Sequence, residues 1–267
     1  MPDVEPTVIL NVQDGNAWVT LNRAQRHNAL DDALIAELTK IVVDLERDDG
    51  VRAVVITGAG QSFCAGADLA SMRQKTAAPA PETLADAERL AAVLNGIYSL
   101  SKPTLALVRG AAFGGGVGIV AACDLAVAAD DARFCLSELR LGLIPAVISP
   151  YLIAAIGARE ALRCALIGEP FDAAEARRVG LVHATVPAAQ AEGEVRRLLG
   201  LLARNAPQAA RAAKALFRHM GGRRIDPAML AETAQWFARV RGGEEAREGV
   251  AAFLDKRRPA WPGPDRP

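Results

Sequence analysis

The chain has 267 residues, 51% of them apolar, and it carries 31 basic and 31 acidic side chains. This length and apolar content suffice for a sizeable core in one large domain and argue against intrinsic disorder. The balanced charge gives no support for a nucleic-acid or polyanionic partner or for a charged membrane surface.

The first predicted elements are a hairpin and a helix. Residues 8–12 and 17–21 have strand patterns, and Asp14-Gly15-Asn16 between them supplies the turn. Further along, Asp31 and Asp32 place negative charge where a helix dipole favours it. The apolar face predicted for this helix consists of Leu34, Leu38, Ile41, Val42 and Leu45.

A strand, a loop and a helix then repeat along the chain. Residues 52–57 predict a buried strand, which a glycine-rich loop follows as far as Gly66. A helix is predicted near residues 82–100, and the apolar run 104–108 leads into the loop Phe113-Gly114-Gly115-Gly116-Val117-Gly118. This alternation predicts an α/β architecture with functional loops at the strand ends.

Strand patterns stop after about residue 188. Four segments beyond that point fit a helical period, at residues 188–203, 207–220, 227–241 and 244–256. We therefore expect a core with the active site in residues 1–195 and a C-terminal helical region in residues 196–267.

The three consecutive glycines are the most informative motif. A glycine loop between a strand and a helix presents backbone N–H groups at the positive end of the helix dipole, where an oxyanion is stabilised. A phosphate loop and a plain tight turn are the alternatives. The dinucleotide fingerprint needs an acidic ribose ligand and the P-loop needs Gly-Lys-Ser/Thr, and the sequence contains neither.

A second loop, Ala65-Gly66-Ala67-Asp68-Leu69, can supply another amide, and two such amides form an oxyanion hole without side chains. This pairing resembles the crotonase, or enoyl-CoA hydratase/isomerase, superfamily. The resemblance covers almost the whole chain, and its other segments are Leu21-Asn22-Arg23 with Asn28-Ala29-Leu30, Ile56-Thr57-Gly58, Lys102-Pro103, Cys123-Asp124-Leu125, Phe134 to Glu138 with Leu141-Gly142, and Gly249 to Lys256.

The resemblance implies a spiral of ββα units whose C-terminal helices join copies into a homotrimer or homohexamer, a dimer of trimers. It implies an acyl-CoA thioester as substrate, with coenzyme A as part of that substrate, no separate cofactor and no metal. The catalytic residues that carry over are Glu138 as acid/base and Ala67 and Gly115, whose amides would hold the thioester oxygen.

The resemblance also assigns substrate-binding residues, namely Arg23, Arg26, Ala65, Asp68, Gly114, Phe253 and Lys256. The two arginines would lie near the coenzyme A phosphates, and Ala65 near the adenine. Phe253 and Lys256, on the last helix, would complete the pocket of a neighbouring subunit. For each of these residues a core or solvated-surface role is an alternative.

One catalytic position departs from the family. Common hydratases use a second glutamate, but Gly118 occupies its position, so no carboxylate can act from there. Glu138 could shuttle protons alone, in hydration or in double-bond isomerisation, or Asp68 or Asp124 could substitute. A binding protein without turnover is the third alternative.

A second departure indicates a subgroup. Where common hydratases continue with a glycine run, this chain has Ala146-Val147-Ile148-Ser149-Pro150-Tyr151. It therefore looks like the bacterial methylglutaconyl-CoA and isohexenylglutaconyl-CoA hydratases of leucine and terpene breakdown. Their substrates are branched and carry a second carboxylate, which Arg73 could pair with through its planar fork. A solvated helix arginine is the alternative.

The remaining reactive residues predict no further site. Four widely spaced cysteines without a Cys-x-x-Cys pair predict reduced core residues, and three dispersed histidines form neither a metal site nor a triad. The N-terminal sequence has no basic and apolar leader pattern, and no apolar run reaches the roughly 18 residues of a membrane span. We expect a soluble, cytoplasmic protein.

Overall fold

The computed structural model describes residues 5–75 and 78–261. Its first half contains β1 (Val8–Gln13), β2 (Asn16–Leu21), α1 (Asp32–Arg47), β3 (Ala53–Gly58), β4 (Ser62–Cys64), α2 (Leu69–Gln74), α3 (Ala80–Ser99), β5 (Thr104–Val108), β6 (Ala111–Phe113) and α4 (Gly115–Ala122). Its second half contains β7 (Leu125–Ala129), β8 (Arg133–Cys135), α5 (Ser149–Ile167), β9 (Phe171–Asp172), α6 (Ala173–Val179), β10 (Ala184–Val186), α7 (Ala191–Leu202), α8 (Pro207–Met220), α9 (Pro227–Arg241) and α10 (Glu244–Leu254).

The strands form two sheets. The larger has six strands in the order β1-β2-β3-β5-β7-β10, and the smaller has four in the order β4-β6-β8-β9. Neighbouring strands from β2 to β10 in the larger sheet are parallel, and β4, β6 and β8 are parallel in the smaller one. Each pair β3-β4, β5-β6 and β7-β8 therefore runs from one sheet to the other before a helix follows. This is the predicted spiral of ββα units.

Both ends of helix α1 are capped by polar side chains. The Asp31 side chain accepts a hydrogen bond from the Leu34 amide at 2.9 Å, as an N-cap does. At the other end, the fully buried Lys102 donates from Nζ to the carbonyl oxygens of Leu45 at 2.6 Å and Glu46 at 2.8 Å. This ammonium satisfies carbonyls that the last turn leaves without a partner.

The core divides between the two faces of the larger sheet. Alternate residues of β3 point to opposite faces, so Val54 and Ile56 join the cluster under α1, α3, α4 and α5, whereas Val55 joins the other cluster. That second cluster is covered by Val195 and Leu199 of α7. The expected boundary after residue 195 therefore falls inside α7, and by its packing this helix goes with the sheet.

The last three helices pack mainly against one another. They leave large apolar side chains in contact with solvent in the single chain, among them Phe217, Leu230, Phe237, Val250 and Phe253. Exposed apolar surface of this extent is typical of an interface.

Candidate active site

Three parallel strands of the smaller sheet end at the same edge and carry the three predicted catalytic residues. Ala67 lies three residues after β4, Gly115 two residues after β6, and Glu138 three residues after β8. Because β6 pairs in parallel with both β4 and β8, the three loops emerge side by side. The sheet thus brings together the residues that the sequence resemblance had assigned to catalysis.

The two loops that supply the amides touch each other. A Cβ placed on Gly66 would lie 2.9 Å from the Phe113 carbonyl oxygen and 3.7 Å from the Gly114 Cα atom. Within the described ranges, neither the Ala67 amide nor the Gly115 amide donates a hydrogen bond to a protein acceptor. These two N–H groups lie on loops that touch, and one of them is at the start of α4, as an oxyanion hole of two amides requires.

Glu138 faces the glycine loop. Its Oε1 atom lies 3.0 Å from the position that a Cβ on Gly114 would take, and its Oε2 atom is buried without a hydrogen-bond partner in the described part of the chain. Burial raises the pKa of this carboxyl above its ordinary value. A carboxyl whose pKa is shifted toward the working pH, with one oxygen unpartnered, is suited to taking up and giving back a proton.

Two of the three consecutive glycines, Gly114 and Gly115, are needed for contacts within the protein. Gly114 has a φ of +47°, which disfavours other residues, and any Cβ there would press on Glu138. A Cβ on Gly115 would lie 2.7 Å from Leu30 Cδ1. A glycine at 115 therefore lets Leu30 pack under the loop. This packing requires glycine at 115 independently of any close approach by a ligand.

The space beside Gly118 is filled by Ile148, the residue before α5. A Cβ on Gly118 would lie 2.3 Å from the Ile148 Cγ2 atom and 3.6 Å from Leu94 Cδ1, and both of these side chains are buried. A glutamate at 118 is incompatible with Ile148 in this position. The two departures from the common pattern, Gly118 and the segment 146–151, therefore depend on each other, because Ile148 of that segment occupies the space beside Gly118.

The family model described as Enoyl-CoA hydratase/isomerase matches residues 11–264. The chain belongs to the enoyl-CoA hydratase/isomerase family. Escherichia coli 2,3-dehydroadipyl-CoA hydratase is 35% identical over 265 residues, which cover 96% of this chain and 98% of that protein. The protein is accordingly an enzyme of this family, and hydratase is the activity named for such relatives.

Solved structures of the family agree with the fold. An enoyl-CoA hydratase from Shewanella pealeana is 36% identical, with a TM-score of 0.92 over 96% of both chains. Pseudomonas aeruginosa AtuE is 38% identical, with a TM-score of 0.91 over 96% of this chain and 99% of its own. The ββα spiral and the helical C-terminal region are thus confirmed.

The other carboxylates considered for this hydratase/isomerase site are held by cations. Asp68 lies 3.0 Å from Arg23, and amides of α2 together with that guanidinium lower the pKa of its carboxyl. Asp124 contacts Lys214 at 2.6 Å and Arg218 at 2.5 Å, and also accepts from the Thr104 amide. Both carboxylates are occupied by partners within the protein, whereas Glu138 Oε2 has none in the described part of the chain.

The residues expected to bind the coenzyme, and Arg73, expected to pair with a distal carboxylate of the substrate, lie in different settings. Arg26 and Arg73 are exposed, on the short turn after β2 and on α2, and Ala65 is half-buried beside the second loop. Phe253 is 83% exposed at the end of α10, with Lys256 just beyond it. Arg23, in contrast, is enclosed by protein groups.

The cysteines and the helices show no other kind of site. All four cysteines are free, and the part of the chain that the structure describes holds no group of three or more His, Cys, Asp or Glu side chains suited to a metal ion. Among the helices of residues 5–75 and 78–261, none is both long and apolar enough to cross a bilayer.

Proposed function

We propose that this enzyme adds water to a 2-enoyl-CoA thioester, branched in its acyl part, with Glu138 as the single acid/base. The observation that carries the proposal is Glu138, whose Oε1 atom approaches Gly114 and whose buried Oε2 atom has no partner among the described residues. The neighbouring Gly115 amide and the Ala67 amide donate to no protein acceptor there. The branched acyl part is supported by the sequence at 113–118 and 146–151, which resembles hydratases of branched glutaconyl thioesters.

The proposed chemistry needs one carboxylate that works twice. The Glu138 carboxylate takes a proton from water while the water oxygen bonds to C3, and the electrons of the C2–C3 double bond move into the thioester as an enolate. The amides of Ala67 and Gly115 stabilise the enolate oxygen, an effect of about 3 kcal/mol per donor. Protonated Glu138 then donates to C2, so that one water has been added.

The test is a panel of thioesters incubated in deuterated water. Crotonyl-CoA, 3-methylcrotonyl-CoA, methylglutaconyl-CoA and a 3-enoyl-CoA are offered to the wild type, with Glu138→Gln as the control. The proposal expects 3-hydroxyacyl-CoA with deuterium at C2, and turnover that depends on Glu138. Thioesters recovered unchanged after tight binding would contradict it.

Double-bond isomerisation is a second candidate. Isomerisation moves a proton between two carbons of one substrate, so one carboxylate is enough. The position of Ile148, which excludes a second carboxylate at 118, therefore favours it. In the same panel this activity would convert the 3-enoyl-CoA to the 2-enoyl-CoA without adding water.

Arg73 is proposed to pair with the distal carboxylate of a glutaconyl-type substrate. It is exposed on α2, the helix that follows the loop of Ala67. Replacing it by alanine should raise KM for methylglutaconyl-CoA roughly tenfold and leave KM for crotonyl-CoA unchanged, because a charged hydrogen bond contributes about 1.5–3 kcal/mol. Steady-state kinetics with both thioesters decide, and an equal effect on both would exclude this role.

We further propose that the enzyme works as a trimer or a pair of trimers. The apolar side chains exposed on α8, α9 and α10 support this assembly. In it, Phe253 and Lys256 would contact coenzyme A bound to a neighbouring subunit, while Arg26 would lie near the phosphates within the same subunit.

A further inference from the structure

Arg23 lies between the first turns of two helices. Its Nη2 atom is 2.9 Å from Asp31 Oδ2 and 3.0 Å from Asp68 Oδ2, and Nη1 donates to the carbonyl oxygen of Ala29. The side chain of Arg23 is only 13% exposed. Protein oxygens therefore surround the guanidinium on several sides.

The two carboxylates that Arg23 joins are both N-caps. Asp31 Oδ1 accepts from the Leu34 amide at the start of α1, and Asp68 Oδ1 accepts from the Ala70 amide, at 3.0 Å, at the start of α2. Each carboxylate thus binds a helix start through one oxygen and Arg23 through the other. The guanidinium fixes the two helix starts relative to each other.

Ala67 is held between the groups that this arrangement fixes. The Leu30 amide donates to the Gly66 carbonyl oxygen at 2.7 Å, and the Asp68 amide donates to the Leu30 carbonyl oxygen at 3.0 Å. The alternation of an extended segment turns the Ala67 amide away from Leu30, toward the open side. Leu30 also packs under Gly115, so both amides of the oxyanion hole rest on this segment.

We propose that Arg23 is a positioning residue, which holds the Ala67 amide in the geometry needed for the oxyanion, and that it does not bind the coenzyme A phosphates. Two carboxylates beside one guanidinium leave a local charge that repels a phosphate. The inference rests on the proposed oxyanion hole and concerns the polarisation of the thioester.

A spectroscopic test separates this role from turnover. In a Glu138→Gln background, binding of 2,4-hexadienoyl-CoA should move its absorbance to longer wavelength, because hydrogen bonds to the thioester oxygen polarise the conjugated chain. Adding Arg23→Met should reduce that shift by at least half, and Arg23→Lys, which keeps the charge without the planar fork, should also reduce it. Since no hydration is needed, the result stands even if the proposed hydratase activity fails.

Kinetics supply the second measurement. In the otherwise native enzyme, Arg23→Met should lower kcat about 100-fold, with KM changing less than about threefold, because misplacing a catalytic group by about 1 Å has an effect of that size. The loss should be equal for crotonyl-CoA and for crotonyl-pantetheine, which lacks the nucleotide phosphates. An unchanged absorbance shift, or a raised KM confined to the CoA thioester, would overturn the proposal.

Arg163 provides a matched control. It also bridges two carboxylates, Glu160 at 2.7 Å and Glu175 at 2.6 Å, but on α5 and α6. Arg163→Met should leave the absorbance shift and kcat unchanged. If Arg23→Met does not fold, as judged by circular dichroism, Arg23→Lys takes its place under the same criteria.

Discussion

At the scale of single residues, the site depends on a carboxyl group whose surroundings oppose its charge. In the described part of the chain Glu138 Oε2 is buried without a hydrogen-bond partner, whereas Asp68 and Asp124 each form ion pairs. Burial raises the pKa of the Glu138 carboxyl, and hydrogen bonds from α2 amides and Arg23 lower that of Asp68. This difference in environment favours Glu138 as the proposed proton carrier; the resemblance assigned it that role and left open whether Asp68 or Asp124 substitutes for the second glutamate.

The raised pKa of Glu138 gives the activity a pH dependence. Hydration needs the carboxylate, so kcat/KM should be level above the Glu138 pKa and fall about tenfold per pH unit below it. The midpoint should lie above 4.5, the ordinary value for a glutamate. A pH-rate profile for crotonyl-CoA measures it, and a midpoint at or below 4.5 would be inconsistent with the buried carboxyl.

The same pKa shift predicts the sign of a stability effect. A raised pKa means that the folded state binds the proton more tightly than the unfolded state does. The contribution of proton binding at Glu138 to the free energy of unfolding is therefore full below pH 4.5 and is lost as the pH rises through the folded-state pKa. Relative to wild type, Glu138→Gln should gain stability as the pH rises toward neutrality, which thermal unfolding at several pH values would show.

At the scale of elements, the long pieces were predictable and the short ones were not. The helix of Leu34 to Leu45 and the strand within 52–57 have clear periods, and both form as expected. Strands β4, β6 and β8 have only three residues each, too few to show a period. These unpredicted strands are the ones that align the catalytic loops. The six-residue helix α2 was likewise not predicted, and α5 is the exception among the long elements, since its 19 residues were not predicted either.

Lys102 shows how one buried charge completes an element. Replacing it by methionine keeps the volume but leaves the carbonyls of Leu45 and Glu46 without their donor. We expect a loss of about 3 kcal/mol in the free energy of unfolding, measured by urea denaturation, because two hydrogen bonds from a charged group disappear. Lys40→Met, on the exposed face of the same helix, should change it by less than about 0.5 kcal/mol. Equal effects of the two changes would show that the hydrogen bonds from Lys102 to the end of α1 contribute nothing to stability.

At the scale of the whole molecule, the spiral and the helical region could be inferred from the order of motifs. The two departures at 118 and 148 could be read from the sequence, but their contact could not, because it joins α4 to the residue before α5. The same holds for Arg23, since its two carboxylates lie 8 and 45 residues away along the chain. Long-range contacts, more than local pattern, decide which polar residues serve the substrate and which serve the fold.

The proposed assembly has its own test. Phe237 is 66% exposed on α9, and an aspartate there would introduce charge into any interface formed by these helices. Native mass spectrometry should find a trimer or hexamer for the wild type and mainly smaller species for Phe237→Asp. Lys40→Asp, on the exposed face of α1, should leave the number of subunits in the assembly unchanged. A monomeric wild type would contradict the proposed assembly.

Glu138 is proposed to transfer the protons of hydration alone, because Ile148 fills the space that a carboxylate at position 118 would need. The most direct measurement is the kcat of Glu138→Gln for a hydrated 2-enoyl-CoA, together with the affinity for the corresponding saturated acyl-CoA. We expect kcat to fall by about 10²- to 10⁴-fold and the affinity to change little. A variant that retains more than about a tenth of wild-type kcat would contradict it.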